Sequence, residues 1–321
     1  VNLRIHLYNR FGSTSIGAAA GFVAFWAVLT VGPPGWPAEA TEPNSYQCTR
    51  DVVYARPGGV ALRANVYQPP REKGMLPAVL CVHGGAWVVG DRFQMAQIGE
   101  RLAARGYVAV TIDYRHAPQF KFPAQIEDCR AALAWMRANA TTYRIDPVRI
   151  SAWGYSAGAQ LATLLALEEA SQPAAAPAAG SSRTEPLRAV VAGGTPCDFR
   201  QFPLDSHTLA YWLGGSRREK PAAYESASPA RLVSPRSPPI FFYHGDTDQL
   251  IPLPPVTAMM KQLEADHVPT TLFIVRGCGH ISAFFAPSAL DQAIAFLDKY
   301  GKGPRAKTPN LRSAPTSPPP P

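Results

Sequence analysis

A chain of 321 residues, 46% of them hydrophobic, can bury one large core, and a single domain of about 250 residues with tails fits that length. The formal charge is +8, but the basic side chains are scattered, with Arg217-Arg218 and Lys302, Arg305, Lys307 and Arg312 in surface or tail segments; no basic stripe interleaves with aromatics, which excludes nucleic acid as a partner. No Cys/His spacing suits zinc and no Gly-rich loop carries the Lys-Ser/Thr pair of a phosphate cradle, so no metal or organic cofactor is expected.

In chain order, residues 1–40 stand apart. Arg4 and Arg10 precede an apolar stretch from Ile16 to Val31, which Gly32-Pro33-Pro34-Gly35 breaks before Ala38-Glu39-Ala40. Positive flank, apolar centre and small-x-small exit predict a secretory signal peptide cleaved after Ala40 and export to the periplasm or beyond. An uncleaved membrane anchor is the alternative, and it is the one route by which a membrane becomes a partner. Ala78 to Val82 is a continuous apolar run, as in a strand buried on both faces, and it ends in His83-Gly84-Gly85-Ala86-Trp87. Tyr107 to Ile112 predicts a strand and Phe122 to Asn139 an amphipathic helix. Val148, Ile150, Ala152 and Trp153 then lead into Gly154-Tyr155-Ser156-Ala157-Gly158, and Leu161, Leu164 and Leu165 follow at helical spacing.

Further along, residues 171–184 are rich in Ala, Pro, Gly and Ser and predict an exposed, mobile insertion. Ala189 to Ala192 is another strand, and the Pro-broken segment 198–239 carries Phe199, Phe202, Leu209, Tyr211, Trp212 and Leu213. Ile240 to Tyr243 reads as a strand running into His244-Gly245-Asp246-Thr247-Asp248, and Val256 to Asp266 as a helix. Thr271 to Val275 is a strand ending in Gly277-Cys278-Gly279-His280, and Pro287 to Tyr300 a closing helix. The tail 302–321, ending in four prolines, lacks the apolar content to pack. Strands alternating with helices predict an α/β fold with a mostly parallel central sheet and helices on both faces.

Ser156 lies at the apex of a strand–turn–helix, flanked by glycines that leave no bulk beside it. A serine hydroxyl is a weak nucleophile near neutral pH, so it needs a base and donors for an oxyanion. The backbone N–H groups of Gly84, Gly85 and Ala157 are the candidate donors. Among the seven histidines, His280 sits on a loop just past a strand end, where open α/β sheets place their sites. His83 is read as a brace for its loop. Asp246 and Asp248 are the candidate acids, and either gives the chain order serine, acid, histidine.

These segments, with Asp113-Tyr114-Arg115-His116-Ala117-Pro118, Phe122-Pro123-Ala124-Gln125 with Asp128, Ile145-Asp146-Pro147 and Ser228-Pro229, resemble α/β-hydrolase esterases. The nearest branch holds bacterial feruloyl-esterase-like carboxylesterases and their hormone-sensitive-lipase-like relatives, and the likeness spans roughly residues 45 to 300. Tyr155 stands where the family often has an acid, and Ala159 where it often has a glycine. The resemblance implies an α/β-hydrolase domain over 41–301 with a small cap over 198–239. It favours Asp248 over Asp246 as the third member of a Ser156–His280–Asp248 triad. It implies hydrolysis of a small-molecule ester, short-chain or aryl, through an acyl-enzyme. An amide-type hydrolase, peptidase or aryl-formamidase, is the alternative; a silent binding module would lack a triad member. Trp87, Tyr155 and Phe284 flank the catalytic loops and are expected in the substrate pocket. Cys197 and Cys278 both follow strands and are expected to pair as a disulfide in an oxidising compartment.

Overall fold

The computed structural model describes residues 46–70, 74–172 and 185–303. The leader or anchor at 1–40, nearly all of the insertion at 171–184 and nearly all of the tail at 302–321 lie outside the described residues.

Eight strands form one sheet: β1 Gln47–Ala55, β2 Leu62–Gln68, β3 Leu76–Val82, β4 Val108–Ile112, β5 Ile145–Tyr155, β6 Val190–Gly193, β7 Ile240–Gly245 and β8 Thr270–Val275. Their spatial order is β1-β2-β4-β3-β5-β6-β7-β8. From β4 to β8 every neighbour is parallel, whereas β1 pairs antiparallel with β2 and β2 with β4. Helices lie between the parallel strands, α1 Ala96–Ala104, α2 Ala124–Ala138, the single turn α3 Ala140–Tyr143, α4 Ala157–Ser171, α5 Ala210–Leu213, α6 Pro221–Ala227 and α7 Leu253–Ala265, and two follow the last strand, α8 His280–Phe284 and α9 Pro287–Tyr300. This is the mostly parallel α/β sheet that the alternation of strands and helices predicts, arranged as the α/β-hydrolase resemblance implies.

The apolar runs divide between two cores by the two-residue period of a strand. Ala78, Leu80 and Val82 of β3 enter one core with α2, α4 and α7, while Val79 and Cys81 enter the other with α1 and α9. Both faces of the inner strands are covered, which is why they lack polar alternation. Helix α4 is the most enclosed: Leu161, Leu164, Leu165 and Leu167 are all buried, each worth about 2 kcal/mol of transfer free energy. Such burial fixes the helix that follows Ser156.

The segment 198–239 is tied to the rest of the described fold by hydrogen bonds. The Phe122 N–H donates to the Trp212 carbonyl at 3.0 Å, Trp212 Nε1 donates to Gln125 Oε1 at 3.1 Å, and Gln160 Nε2 donates to the Ala227 carbonyl at 2.7 Å. Phe199, Leu209, Trp212 and Leu213 are buried, so most of its aromatics serve packing.

The expected disulfide does not form. All five cysteines are free thiols: Cys197 lies in the core of the α2–α4 face, whereas Cys278 packs against the opposite core. That both cysteines follow strands was a poor guide, because β7 lies between β6 and β8 and side chains after parallel strands leave on either face of the sheet.

Candidate active site

The sharp turn between β5 and α4 puts Ser156 at φ 55° and ψ −122°, a conformation costly for a residue with a side chain and held here by its surroundings. The Ser156 N–H donates to the Gly193 carbonyl at 2.8 Å, and its own carbonyl accepts from Gln160 N at 3.1 Å. The flanking glycines are required by contact. A Cβ on Gly154 would overlap the Gly158 carbonyl, and one on Gly158 would overlap the carbonyl oxygens of Val82 and His83. Gly158→Ala is therefore expected to lower the thermal midpoint by about 6–12 °C, roughly 3 kcal/mol, in a calorimetric scan; a wild-type melt would show that backbone movement accommodates the methyl group.

Parallel strands deliver their C-terminal ends to one edge, so the loops after β5, β7 and β8 meet there. His280 opens α8, with Nε2 2.9 Å from Ser156 Oγ and Nδ1 2.7 Å from Asp248 Oδ2. The other carboxylate oxygen of Asp248 accepts from Leu250 N at 2.8 Å and Ile251 N at 2.9 Å. Burial pushes the Asp248 carboxyl up, but the hydrogen bond from His280 and those two amides outweigh it and hold the group below the usual carboxylate range. Asp246 faces elsewhere: its Oδ1 accepts from Gly277 N at 2.7 Å, which ties the loop after β7 to the loop bearing His280.

Three residues support the site in ways the sequence did not signal. Gly194, at φ +52°, lies beneath His280; a Cβ there would come within 2.9 Å of His280 Cε1 and 3.0 Å of the Tyr155 hydroxyl. His244 is buried beside Asp248, its Nε2 3.0 Å from the Ile251 carbonyl and 3.5 Å from Asp248 Oδ2. Burial lowers its pKa, so the ring is neutral and Nε2–H donates to that carbonyl, bracing the loop that carries the acid. Tyr155 is 1% exposed and its hydroxyl donates to the His280 carbonyl. It supports the imidazole from below and is no pocket wall, which corrects the expectation for that residue.

The loop after β3 turns through positive φ at Gly85, Ala86 and Trp87, leaving its carbonyls tied back. His83 Nδ1–H donates to the Gly84 carbonyl at 2.6 Å, and the Tyr114 hydroxyl reaches the His83 carbonyl at 3.1 Å. Among the described residues no backbone carbonyl takes the N–H of Gly84 or Gly85, and Ala157, as the first residue of α4, has no intrahelical acceptor. Trp87 is locked rather than open to substrate, another departure from expectation: it is 5% exposed, stacks on Trp212 at 3.6 Å and donates from Nε1 to Gln160 Oε1 at 3.0 Å. Phe284, by contrast, lines an open cleft. Among the described residues no cluster of three or more His, Cys, Asp or Glu side chains is placed to hold a metal ion.

The buried brace His83 makes a test of pH dependence. Burial, with His116 nearby, drives its pKa from 6.5 down to about 3, so the folded protein refuses a proton that the unfolded chain accepts near 6.5. Its contribution is complete above that pH and is lost as pH falls toward 3, at about 1.4 kcal/mol per unit. Unfolding in urea should thus show roughly 3 kcal/mol less stability at pH 4.5 than at pH 7. His116 and His244, both lowered by burial, act in the same direction. A midpoint unchanged over that range would contradict a neutral, buried His83.

Comparison with known proteins agrees with the fold. The model of the BD-FAE family matches residues 64–263, more than half the chain. Esterase LipQ of Mycobacterium tuberculosis is 32% identical over 64% of this chain and 50% of its own. A probable isoprenylcysteine alpha-carbonyl methylesterase of Oryza sativa is 30% identical over 75% of this chain and 58% of its own. The chain thus spans about half the length of the curated relatives it matches. A truncated carbohydrate esterase from gut microbiota superposes with TM-score 0.70 at 25% identity, over 80% of this chain and 98% of that one. A thermophilic esterase of Thermogutta terrifontis superposes with TM-score 0.65 at 21% identity, over 79% and 92% of the two chains, a likeness of fold.

Proposed function

This chain belongs to the BD-FAE family of α/β-hydrolases, and on that premise we propose that it is a serine carboxylesterase acting on short-chain or aryl esters. One observation carries the reading: the unbroken hydrogen-bonded chain from Asp248 through His280 to Ser156, set beside backbone amides with no carbonyl to bind. With Asp248 ionised and accepting from Nδ1–H, Nε2 of His280 is the free base facing the serine hydroxyl. Attack of Oγ on an ester carbonyl passes the serine proton to Nε2, while the amides of Gly84, Gly85 and Ala157 bind the developing oxyanion. The imidazolium protonates the leaving oxygen, the alcohol departs, and water activated by the same imidazole releases the acid.

A short acyl preference has physical support in the closed wall beside the oxyanion loop, where Trp87, Trp212 and Phe199 pack against one another and leave little room for a long chain. A series of p-nitrophenyl esters from acetate to palmitate, with a feruloyl ester and an anilide alongside, tests the reading. The acetate and butyrate should exceed the octanoate and longer esters by roughly tenfold in kcat/KM, with the anilide slowest. Best turnover of the palmitate would overturn the acyl preference, and an anilide faster than its ester would move the protein to the amide hydrolases.

A further inference from the structure

Along the short helix that His280 opens lies a cleft of about 270 Å³, lined by none of the residues given a role in the proposed reaction. One wall is α8, the five-residue helix that His280 opens, contributing Ile281 and Phe284, with Phe285 just after it. The opposite wall is the stretch following the oxyanion loop, contributing Phe93, Gln94 and Gln97. The lining is aromatic and apolar, with two amides and no charged side chain.

Both walls are held before any ligand arrives. Phe93 is 47% exposed, yet its backbone N–H donates to Asp91 Oδ1 at 2.8 Å and the Arg92 guanidinium lies 4.4 Å over its ring. That guanidinium is itself anchored to Asp51 and, at 2.7 Å, to Asp113. Across the cleft, Phe284 packs on Tyr155 with ring centroids 4.8 Å apart, and Tyr155 in turn holds the His280 carbonyl. An exposed phenylalanine fixed by its neighbours costs solvation with no packing return in the free protein, and it lowers the entropy cost of binding a flat apolar group.

Geometry then decides which part of an ester belongs there. The carbonyl oxygen must face the amides of Gly84, Gly85 and Ala157, and the leaving oxygen must come within hydrogen-bond reach of His280 Nε2, the group that returns the proton. The leaving alcohol therefore lies on the α8 side of Ser156. We infer that the cleft between α8 and residues 93–97 is the leaving-group subsite, and that it selects esters of aromatic or arylalkyl alcohols. This rests on the ester-hydrolase reading above. In the step served, the Ser156 Oγ–acyl bond forms as the alkoxy C–O bond breaks, the serine proton passes through His280 to the alkoxy oxygen, and the neutral alcohol leaves through the cleft.

Methyl and benzyl acetate test this, because their alcohols are of nearly equal acidity and both release acetate, so the ratio of their kcat/KM values reports binding of the alcohol portion. In the wild type the benzyl ester should be favoured by at least about thirtyfold. Phe93→Ala, which removes one face, and Gln97→Trp, which fills the space, should each lower that ratio by about tenfold, chiefly through KM of the benzyl ester. A wild-type ratio near one, or a ratio unmoved by both variants, would overturn the subsite while leaving ester hydrolysis standing. Absence of turnover of both acetates and of p-nitrophenyl butyrate would overturn the hydrolase reading and the subsite with it.

Discussion

Ser156→Ala should lower kcat on p-nitrophenyl butyrate by at least about 10^5-fold while leaving the thermal melt close to wild type. The hydroxyl oxygen is the only atom removed, and its hydrogen-bond partner is the imidazole of His280, 2.9 Å away, which loses nothing structural. The turn conformation at 156, with positive φ, tolerates alanine as well as serine because both carry a Cβ. What remains is the oxyanion donors and substrate binding, enough for a residual rate about 10^3-fold above water and no more. Activity of the purified variant within a hundredfold of wild type would mean that another group attacks the ester, and the reading of the site would fall.

The second large effect separates two carboxylates two residues apart. Asp248→Asn should cost about 10^4-fold in kcat, because an amide N–H facing Nδ1 favours the tautomer protonated at Nε2, which cannot accept the serine proton. Asp246→Asn keeps an acceptor oxygen for Gly277 N and should stay within about tenfold of wild type. Substrate KM should change little in the first variant, since Asp248 is enclosed at the loop base with its side chain fully buried. The reverse ranking of the two variants would assign the acid to Asp246 and require the loop after β7 to rearrange in solution.

Much of the fold was legible because its inner strands are enclosed on both faces. Continuous apolar runs such as 78–82 and 240–243 can be nothing polar, and the glycines around Ser156 mark a turn that only a close strand–helix approach demands. The antiparallel pair β1 and β2 escaped notice: β1 is largely exposed at the sheet edge, with Thr49, Arg50 and Asp51 outside, so it lacks that signature. Helix α1, whose buried face is Ile98, Gly99, Leu102 and Ala103, is only nine residues long, shorter than the window over which a helical period is told apart from chance.

The chemistry-bearing residues announce themselves by type and by their place after strands, but their supports do not. Nothing in the neighbourhood of Gly194 in sequence says that it lies beneath an imidazole eighty-six residues on, or that His244 braces the loop of Asp248. Tyr155 and Trp87 were read as pocket walls because adjacency to a catalytic loop is visible in a sequence, whereas the direction of a side chain is not. The failed pairing of Cys197 with Cys278 has the same root, since the sheet between two side chains has no expression in their spacing.

Local composition and period thus marked the inner strands, the glycine-flanked turn at Ser156, and a histidine and two acids that follow strand ends. The tertiary structure set Asp248 rather than Asp246 against the His280 ring, turned Tyr155 and Trp87 inward, and opened the cleft along α8. Those outcomes depend on distances between segments and on the face from which each side chain leaves its backbone, and both are set only when parallel strands bring their ends to a common edge.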